Sequence, residues 1–309
     1  MNKKHCPFCG SPIIKKNGHK RGYQMYKCNV CGSQFEGVHR IDKSELYQQY
    51  VSGKKTYQEL ALEHSCSTRS VQRWLSQISM SYTPSQPLES VIIMDTTYFG
   101  RTFGVMLFQD AETGCVLLRK YVKYETNQLY MDGLAEIRSH GTSINGVVCD
   151  GHKGLLQSIE NIPAQMCQFH MIQIIRRLLT NSPHLQAGIE LLELVRKLTR
   201  VNGEAFSEQF GNWCKEWDPF LKERTILSSG KSTYTHRRLR AARNSLRYHL
   251  PWLFTYQIVP KLKIPNTTNK LEGTNSELKR RLHSHNGLTQ ANKKKFIDGF
   301  LKTWGKPSE

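Results

Sequence analysis

The chain has 309 residues, with 44 Lys and Arg against 25 Asp and Glu, for a net charge of +19. That length supports about two domains with a buried core, and a hydrophobic fraction of 38% excludes a disordered tail protein. No apolar run approaches the roughly 20 residues of a membrane span and no apolar signal core follows Met1–Lys4. A soluble, intracellular protein is expected, with an anionic partner, nucleic acid ahead of a membrane surface. The charge is unevenly placed: residues 1–80 sum to +8, residues 81–230 to −2 and residues 231–309 to +13.

Nine cysteines are present, and four of them form Cys6-Pro-Phe-Cys9 and Cys28-Asn-Val-Cys31, with 18 residues between the pairs. Each pair is followed by a glycine, Gly10 or Gly32, that lets the chain turn back so that backbone amides face the sulfurs. Four thiolates at this spacing select one tetrahedral structural Zn²⁺. Disulfides would need an oxidising compartment, and a redox pair would need a surrounding βαβ unit. Short strands at Ile13–Ile14 and Tyr23–Lys27 around a turn at Lys16–His19 give a zinc ribbon over residues 1–40. Its basic residues Lys15, Lys16, Lys20, Arg21 and Lys27 form either a phosphate-contacting face or an ordinary solvated one.

Residues 41–80 read as three helices. Asp42 caps the first; Thr56 caps the second, with Glu59 in the capping-box position; Ser67 caps the third. The apolar set Leu60, Ala61, Val71, Trp74 and Leu75 gives a helix-turn-helix. Its recognition helix presents Thr68, Arg69, Gln72 and Arg73 to a DNA major groove; an ordinary helical hairpin is the alternative. The segment Ser79–Pro87, with two prolines and no apolar period, marks an interdomain linker, assigned to residues 81–90.

The period then changes. Val91–Met94 is a short buried strand ending in Asp95. Phe103–Gln109 and Val116–Val122 form a hairpin around Asp110–Gly114, and Asn127–Ser139 is helical. Gly146–Cys149 is a second apolar run ending in a carboxylate, Asp150. Lys153–Ile159 reads as helix, Ala164–Cys167 as strand and His170–Leu179 as helix. This βββαβαβα order is the plan of a ribonuclease-H-like mixed-sheet core over residues 91–183 and 265–309, in which strands one and four are neighbours. Asp95 and Asp150 then meet, and two adjacent carboxylates favour a cation between them. Hard oxygen donors select Mg²⁺ or Mn²⁺, two of which at one site serve in-line phosphodiester displacement. Asp110 is a rival carboxylate, but Asp-Ala-Glu-Thr-Gly reads as hairpin chemistry.

A third carboxylate, Glu272, lies in Asn266-Thr-Thr-Asn-Lys-Leu-Glu-Gly-Thr-Asn275, on a helix that Thr267 or Thr268 can cap. Glu277 competes, but it is placed to pair with Arg280 or Arg281. A TTNxLEGxN helix after two Asp-bearing strands resembles the DDE transposases of bacterial insertion sequences, in particular the Mutator-type branch. That branch also carries Cys-x-x-His after the second Asp, present here as Cys167-Gln-Phe-His170. The resemblance implies that Asp95, Asp150 and Glu272 are the catalytic, Mg²⁺-binding triad, and that Cys167 and His170 are a family-type pair near it. Read alone, Cys167 is a buried strand cysteine and His170 a residue at a helix start. A zinc role for the pair lacks a second pair, leaving core orientation or contact with flanking DNA. The resemblance also implies an all-helical insertion over residues 184–264, for which Ile189–Val201, Glu204–Trp217 and Tyr234–Tyr248 supply helical signals. Trp213, Trp217 and Trp252 are assigned to its core, with stacking on a flipped base as the alternative. Arg237, Arg240, Arg243 and Arg247 recur on one helical face, and with Lys279, Arg280 and Arg281 they are assigned to DNA phosphates.

The resulting expectation is a bacterial, cytoplasmic, nucleoid-associated transposase. It binds the terminal inverted repeats of its element as double-stranded DNA, hydrolyses and transfers strands with two Mg²⁺, and works on target DNA as a dimer or higher multimer. A transposase-derived regulator without catalysis and a structure-specific nuclease on the same core are the alternatives.

Overall fold

In the computed structural model the described residues are 5–20, 22–36, 41–78, 82–285 and 287–304. Arg21 and the first part of the expected linker, residues 79–81, lie outside them. The chain divides into two compact units, Met1–Ser79 and Met80–Glu309.

The first unit opens with a three-stranded antiparallel sheet of β1 (Ile14–Lys20), β2 (Tyr23–Cys28) and β3 (Gln34–Glu36), in the order β1-β2-β3. The expected hairpin turn at Lys16–His19 is instead a bulge inside β1, where the register against β2 shifts between Lys16 and His19. Gly18, at φ +71°, takes up the extra residue. The chain reverses later, because Lys20 still pairs with Tyr23. Three helices follow, α1 (Lys43–Val51), α2 (Tyr57–Glu63) and α3 (Thr68–Gln77). Asp42 accepts from the amides of Ser44 and Glu45, Thr56 and Glu59 complete a reciprocal capping box, and Ser67 accepts from the amide of Ser70. Leu46, Leu60 and Val71, all fully buried, hold the three helices together.

The second unit is built on a five-stranded mixed sheet of β4 (Glu89–Phe99), β5 (Phe103–Asp110), β6 (Val116–Val122), β7 (Ser143–Cys149) and β8 (Ala164–Met166). The order is β6-β5-β4-β7-β8; β4 is antiparallel to β5 and parallel to β7, and β7 is parallel to β8. Three antiparallel strands continued by parallel crossovers on the far side of the first define a ribonuclease-H-like core. β4 runs on past Asp95 to Phe99, so this carboxylate sits within the strand, opposite Leu107, and not at its end. Alternation along β4 sends Met94 and Thr96 to one face and Asp95 to the other.

On the first face lies α4 (Asn127–Ser139). It approaches β5 closely because Gly133 has no side chain: a Cβ there would stand 2.1 Å from the Phe108 ring. Tyr130, fully buried, meets Phe108 edge-on and shares a 2.8 Å hydrogen bond with the Thr96 hydroxyl. On the opposite face lie α12 (Asn269–His283) and α13 (Gln290–Thr303). Thr274 of α12 accepts from the buried Gln109 amide at 3.1 Å, and Asp298 of α13 takes a bidentate bond from Arg119 of β6 at 2.6 and 2.9 Å. The turn residue Asp110 accepts from Ser90 and from both the amide and hydroxyl of Thr113, as hairpin chemistry requires.

Between β7 and α12 come α5 (Leu155–Ser158), α6 (Gln168–Leu179), α7 (Gln186–Arg196), α8 (Gly203–Glu216), α9 (Asp218–Lys222), α10 (Arg237–His249) and α11 (Thr255–Ile258). The expected all-helical insertion also carries a two-stranded hairpin, β9 (Arg224–Ile226) and β10 (Ser232–Tyr234). Thr225, Ile226 and Thr233 favour strand, and Gly230, at φ +76°, makes the turn. Consequently α10 begins at Arg237 rather than Tyr234. Trp213 is buried with its indole donating to the Ala187 carbonyl, and Trp217 donates to Glu190, which places both in the insertion core; Trp252 is half-buried beside Tyr248. Among the described residues no helix is long and apolar enough to cross a membrane.

Candidate active site and metal centres

The parallel register of β4 and β7 pairs Ile93 with Val148; two residues further along, it brings Asp95 and Asp150 abreast. Asp95 is half-buried and accepts from the Asn275 side-chain amide of α12 at 2.9 Å. Burial first, and then the negative charge of Asp150, push the Asp95 carboxyl up to about 6, against the opposing pull of His170. Asp150 accepts from the backbone amide of His152 at 3.1 Å. The residue after it is closely covered: a Cβ on Gly151 would stand 2.7 Å from the terminal methyl of Met166 and 3.0 Å from His249 Nε2. Among the described residues, neither the buried oxygen of Asn275 nor His249 Nε2 has a hydrogen-bond partner. Two adjacent carboxylates, one destabilised by its neighbour's charge, beside an orphaned amide oxygen, form a hard-donor set that fits Mg²⁺ or Mn²⁺.

Glu272 reaches this region from the first turn of α12, and its company differs from that of the two aspartates. Thr268 occupies the cap position of α12 but does not cap it. Its buried hydroxyl donates instead to Glu272 Oε1 at 2.8 Å and lies 3.2 Å from Cys167 Sγ and 3.4 Å from His170 Nδ1. The Thr268 amide also donates to Cys167 Sγ at 3.3 Å. His170 Nδ1 is 3.8 Å from Glu272 Oε1. The two motifs, far apart in sequence, are joined at a further point: the Gln168 amide donates to the Asn266 carbonyl at 2.9 Å, and the Asn266 side chain returns a bond to Gln168 at 3.0 Å. Burial works to lower the His170 pKa, but the bond to Cys167 and the charges of Cys167, Glu272 and Asp95 outweigh it and raise it to about 9. Burial likewise raises the Cys167 thiol, and hydrogen bonding to His170 and Thr268 more than reverses this, leaving it below the ordinary range.

Four groups that the sequence did not single out as site residues also face this region: Glu125, His249, Thr268 and Asn275. Glu125, raised by burial and by Asp150, accepts from the Tyr130 hydroxyl at 2.5 Å. Thr268 and Asn275 stand inside the TTNxLEGxN motif and were legible there as members, though not in these roles. Glu125 and His249 carry no local signature, because the loop before α4 and the insertion reach the site only through the fold.

The second centre is the ribbon. Cys6 and Cys31 lie 3.5 Å apart and Cys9 and Cys28 3.6 Å apart, and all four sulfurs fall within 4.8 Å of one another. The Gly10 amide donates to the Cys6 carbonyl and the Gly32 amide to the Cys28 carbonyl, forming two equivalent turns. The Val30 amide points at Cys28 Sγ at 3.3 Å. Hydrogen bonds from Ser33 lower Cys31 to about 6. Four sulfurs at these separations fit a tetrahedral ion with metal–sulfur bonds of about 2.3 Å.

Of the residues assigned to DNA, Thr68, Arg69, Gln72 and Arg73 are all exposed on α3. The arginine row of α10 divides. Arg237 and Arg247 are exposed, Arg240 lies 3.4 Å above the Tyr234 ring and donates to the Leu221 carbonyl, and Arg243 is buried beside Asp218. Lys279 is exposed, while Arg280 and Arg281 both bind Glu277, which they hold down at about 2.

Comparison with known proteins supplies a family. No curated protein matches the chain. Among solved structures, it aligns with the magnesium-bound catalytic core of the HTLV-2 integrase at 16% identity, over 51% of this chain and 98% of that one, with a TM-score of 0.23. It also aligns with a chain of the simian T-cell lymphotropic virus intasome in complex with the PP2A regulatory subunit B56 gamma, at 13% identity over 51% and 69%, with a TM-score of 0.21. The fold assignment rests on the strand order itself. The family model for Mutator transposases matches residues 116–290, more than half of the chain, and that span includes Asp150, Cys167, His170 and Glu272 while Asp95 precedes it. With the strand order and the junction of the two motifs in place, this match establishes that the chain belongs to the Mutator family of transposases.

Proposed function

We propose that this transposase binds the terminal inverted repeats of its element and uses Asp95, Asp150 and Glu272 to hold two Mg²⁺ ions for phosphodiester hydrolysis and strand transfer. The observation that carries this reading is the juxtaposition of Asp95 on β4 with Asp150 at the end of the neighbouring parallel strand β7, where burial and then the charge of Asp150 raise Asp95 to about 6. When bound, the ions would supply an activated attacking oxygen and stabilise the leaving one. The chain's own part is placement. Asn275 fixes one oxygen of Asp95 and leaves the other for a ligand, the His152 amide fixes one oxygen of Asp150, and Thr268 fixes Oε1 of Glu272. In the first step, water attacks the phosphorus at the element end: a new P–O bond forms as the P–O3′ bond breaks, the 3′-oxygen leaves and is protonated to the element's 3′-hydroxyl, and the flanking strand keeps the 5′-phosphate. In the second, that hydroxyl attacks a target phosphodiester and expels the target's own 3′-oxygen.

The recognition helix α3, with Arg69, Gln72 and Arg73, would read the repeat in the major groove. The ribbon, held by one Zn²⁺ on Cys6, Cys9, Cys28 and Cys31, would brace that reader. Arg237, Arg247 and Lys279 remain available for phosphate, whereas Arg240 and Arg243 act within the insertion. Ribbon, helix-turn-helix, the two-part core and its insertion then form the functional domains, and a dimer or larger multimer working at the nucleoid brings two ends together.

The test is a labelled element-end duplex with purified protein and Mg²⁺. Nicking followed by joining supports the proposal; nicking alone would indicate a nuclease, and binding without cleavage a regulator. Asp150→Asn should abolish both chemical steps and leave end binding intact. Cleavage by that variant would refute the triad.

A further inference from the structure

Sequence alone left Cys167 and His170 as one ligand pair without a second. The fold supplies a third donor from another helix: Cys167 Sγ, an imidazole nitrogen of His170 and a carboxylate oxygen of Glu272 all lie within 4.8 Å of one another. We propose that these three residues form a second site for a thiophilic divalent ion of the zinc class, separate from the ribbon, and that filling it withdraws Glu272 from the carboxylate site and switches the enzyme off. The inhibitory part rests on the assignment of Glu272 to the Mg²⁺ site above; the metal site does not.

The geometry is close to what such an ion needs. Donors at zinc–sulfur and zinc–nitrogen or –oxygen distances of about 2.3 and 2.0–2.2 Å, set tetrahedrally, stand roughly 3.3–3.6 Å apart. His170 Nδ1 and Glu272 Oε1 are already 3.8 Å apart, so that pair needs a closure of a few tenths of an ångström, and the sulfur, within 4.8 Å of both, needs a shift of about an ångström at most. Cys167 at the cap and His170 in the first turn of α6 are three residues apart, which puts both on one side of the helix. Thr268 reaches all three donors through one hydroxyl and holds them in register without a metal. Donor chemistry separates the two ions: sulfur and imidazole are poor ligands for Mg²⁺ and good ones for zinc, whereas the aspartate pair is all oxygen. Glu272 is the one carboxylate common to both sets. With Oε1 held by the neutral Thr268 hydroxyl, Glu272 keeps its full negative charge for an ion beside Asp95 and Asp150; with Oε1 on zinc, that charge is taken up by the second ion.

The full chain is first given one equivalent of Zn²⁺, which the four-thiolate ribbon retains, and then titrated with Co²⁺. A thiolate-to-cobalt charge-transfer band should appear in the wild type, vanish in Cys167→Ser and weaken in His170→Gln, with near-UV circular dichroism reporting the fold of each variant. No band in the wild type, or an undiminished band in Cys167→Ser, would overturn the site. His170→Gln, altered at a half-buried side chain, decides the matter if Cys167→Ser fails to fold: an unchanged cobalt spectrum in it also refutes the site. In the DNA assay, excess Zn²⁺ over the ribbon equivalent should suppress Mg²⁺-supported cleavage by wild type at least tenfold, and cleavage indifferent to Zn²⁺ would refute the inhibition. A cobalt–thiolate band in a protein that never cleaves DNA would leave the metal site standing and remove the transposase mechanism; cleavage without the band would do the reverse.

Discussion

Asp95→Asn should make the protein more stable while destroying its chemistry. The carboxyl of Asp95 rises from 3.8 to about 6 on folding, through burial and the charge of Asp150. At about 1.36 kcal/mol per pKa unit, keeping Asp95 ionised at neutral pH destabilises the metal-free fold by about 3 kcal/mol. Because the folded pKa is the higher one, the native state binds more protons. The penalty is complete above pH 6, fades as the pH falls through that value and is gone below about 4. Asn removes the charge, keeps an oxygen for the Asn275 amide and has nearly the same volume. For a unit spanning Met80–Glu309, about 3 kcal/mol corresponds to roughly 6–12 °C in Tm. The assay is thermal unfolding of wild type and Asp95→Asn, each with one equivalent of Zn²⁺ for the ribbon and no Mg²⁺, from pH 8 to pH 4. The variant should melt higher at pH 8, the gap should close toward pH 4, and added Mg²⁺ should raise Tm for the wild type only. An equal or lower Tm for Asp95→Asn at pH 8, or a gap that does not narrow in acid, would refute the electrostatic account of the site.

Removing the ribbon's metal, by chelation or by Cys31→Ser, should unfold β1–β3 and abolish specific end binding while the melting of the second unit is unchanged; intact end binding would show that the ribbon plays no part in recognition. Asp298→Ala strands Arg119, whose side chain is 25% exposed, against 12% for Asp298, and should cost about 2–4 kcal/mol in denaturant unfolding, most of it recovered in Arg119→Leu/Asp298→Leu. Arg69→Ala should weaken binding to the cognate repeat by about 1–3 kcal/mol and relax specificity, whereas Arg247→Ala should weaken binding to all sequences alike and reduce the salt slope by about 1. Gly133→Ala should destabilise by about 1–3 kcal/mol through the Phe108 clash, measured in the same denaturant titration.

What sequence could reveal was local. Capping of α1, α2 and α3 by Asp42, Thr56 and Ser67 was readable because each cap is satisfied within three residues. The bounds of α4 were readable for the same reason, and the hairpin at Asp110 because its partners lie in the turn. Strand ends were less legible: β4 continues past Asp95 through the strand-forming Thr96, Thr97, Tyr98 and Phe99 because its pairing with β5 extends that far, although the continuous apolar run stops at Met94. The turn in the ribbon was misplaced because Asn17-Gly18 has hairpin composition and serves as a bulge. The site divides in the same way. Asp150, Glu272 and the Cys167–His170 pair stood in recognisable motifs, but the desertion of the cap by Thr268 depends on a cysteine about a hundred positions away. The arginine row of α10 looked uniform by spacing, and only the packing of Tyr234 and Asp218 separates Arg240 and Arg243 from their exposed neighbours.

The junction of Gln168 with Asn266, 98 positions apart, closes a long ring of chain around a single stitch of backbone and side-chain hydrogen bonds. Doubling the length of such a ring costs only about 0.6 kcal/mol in closure entropy, so what hangs from the stitch can grow or shrink with little effect on the placement of Glu272. The same point is therefore a graft site: a foreign domain whose ends lie close together could replace part of the insertion while the carboxylates keep their positions.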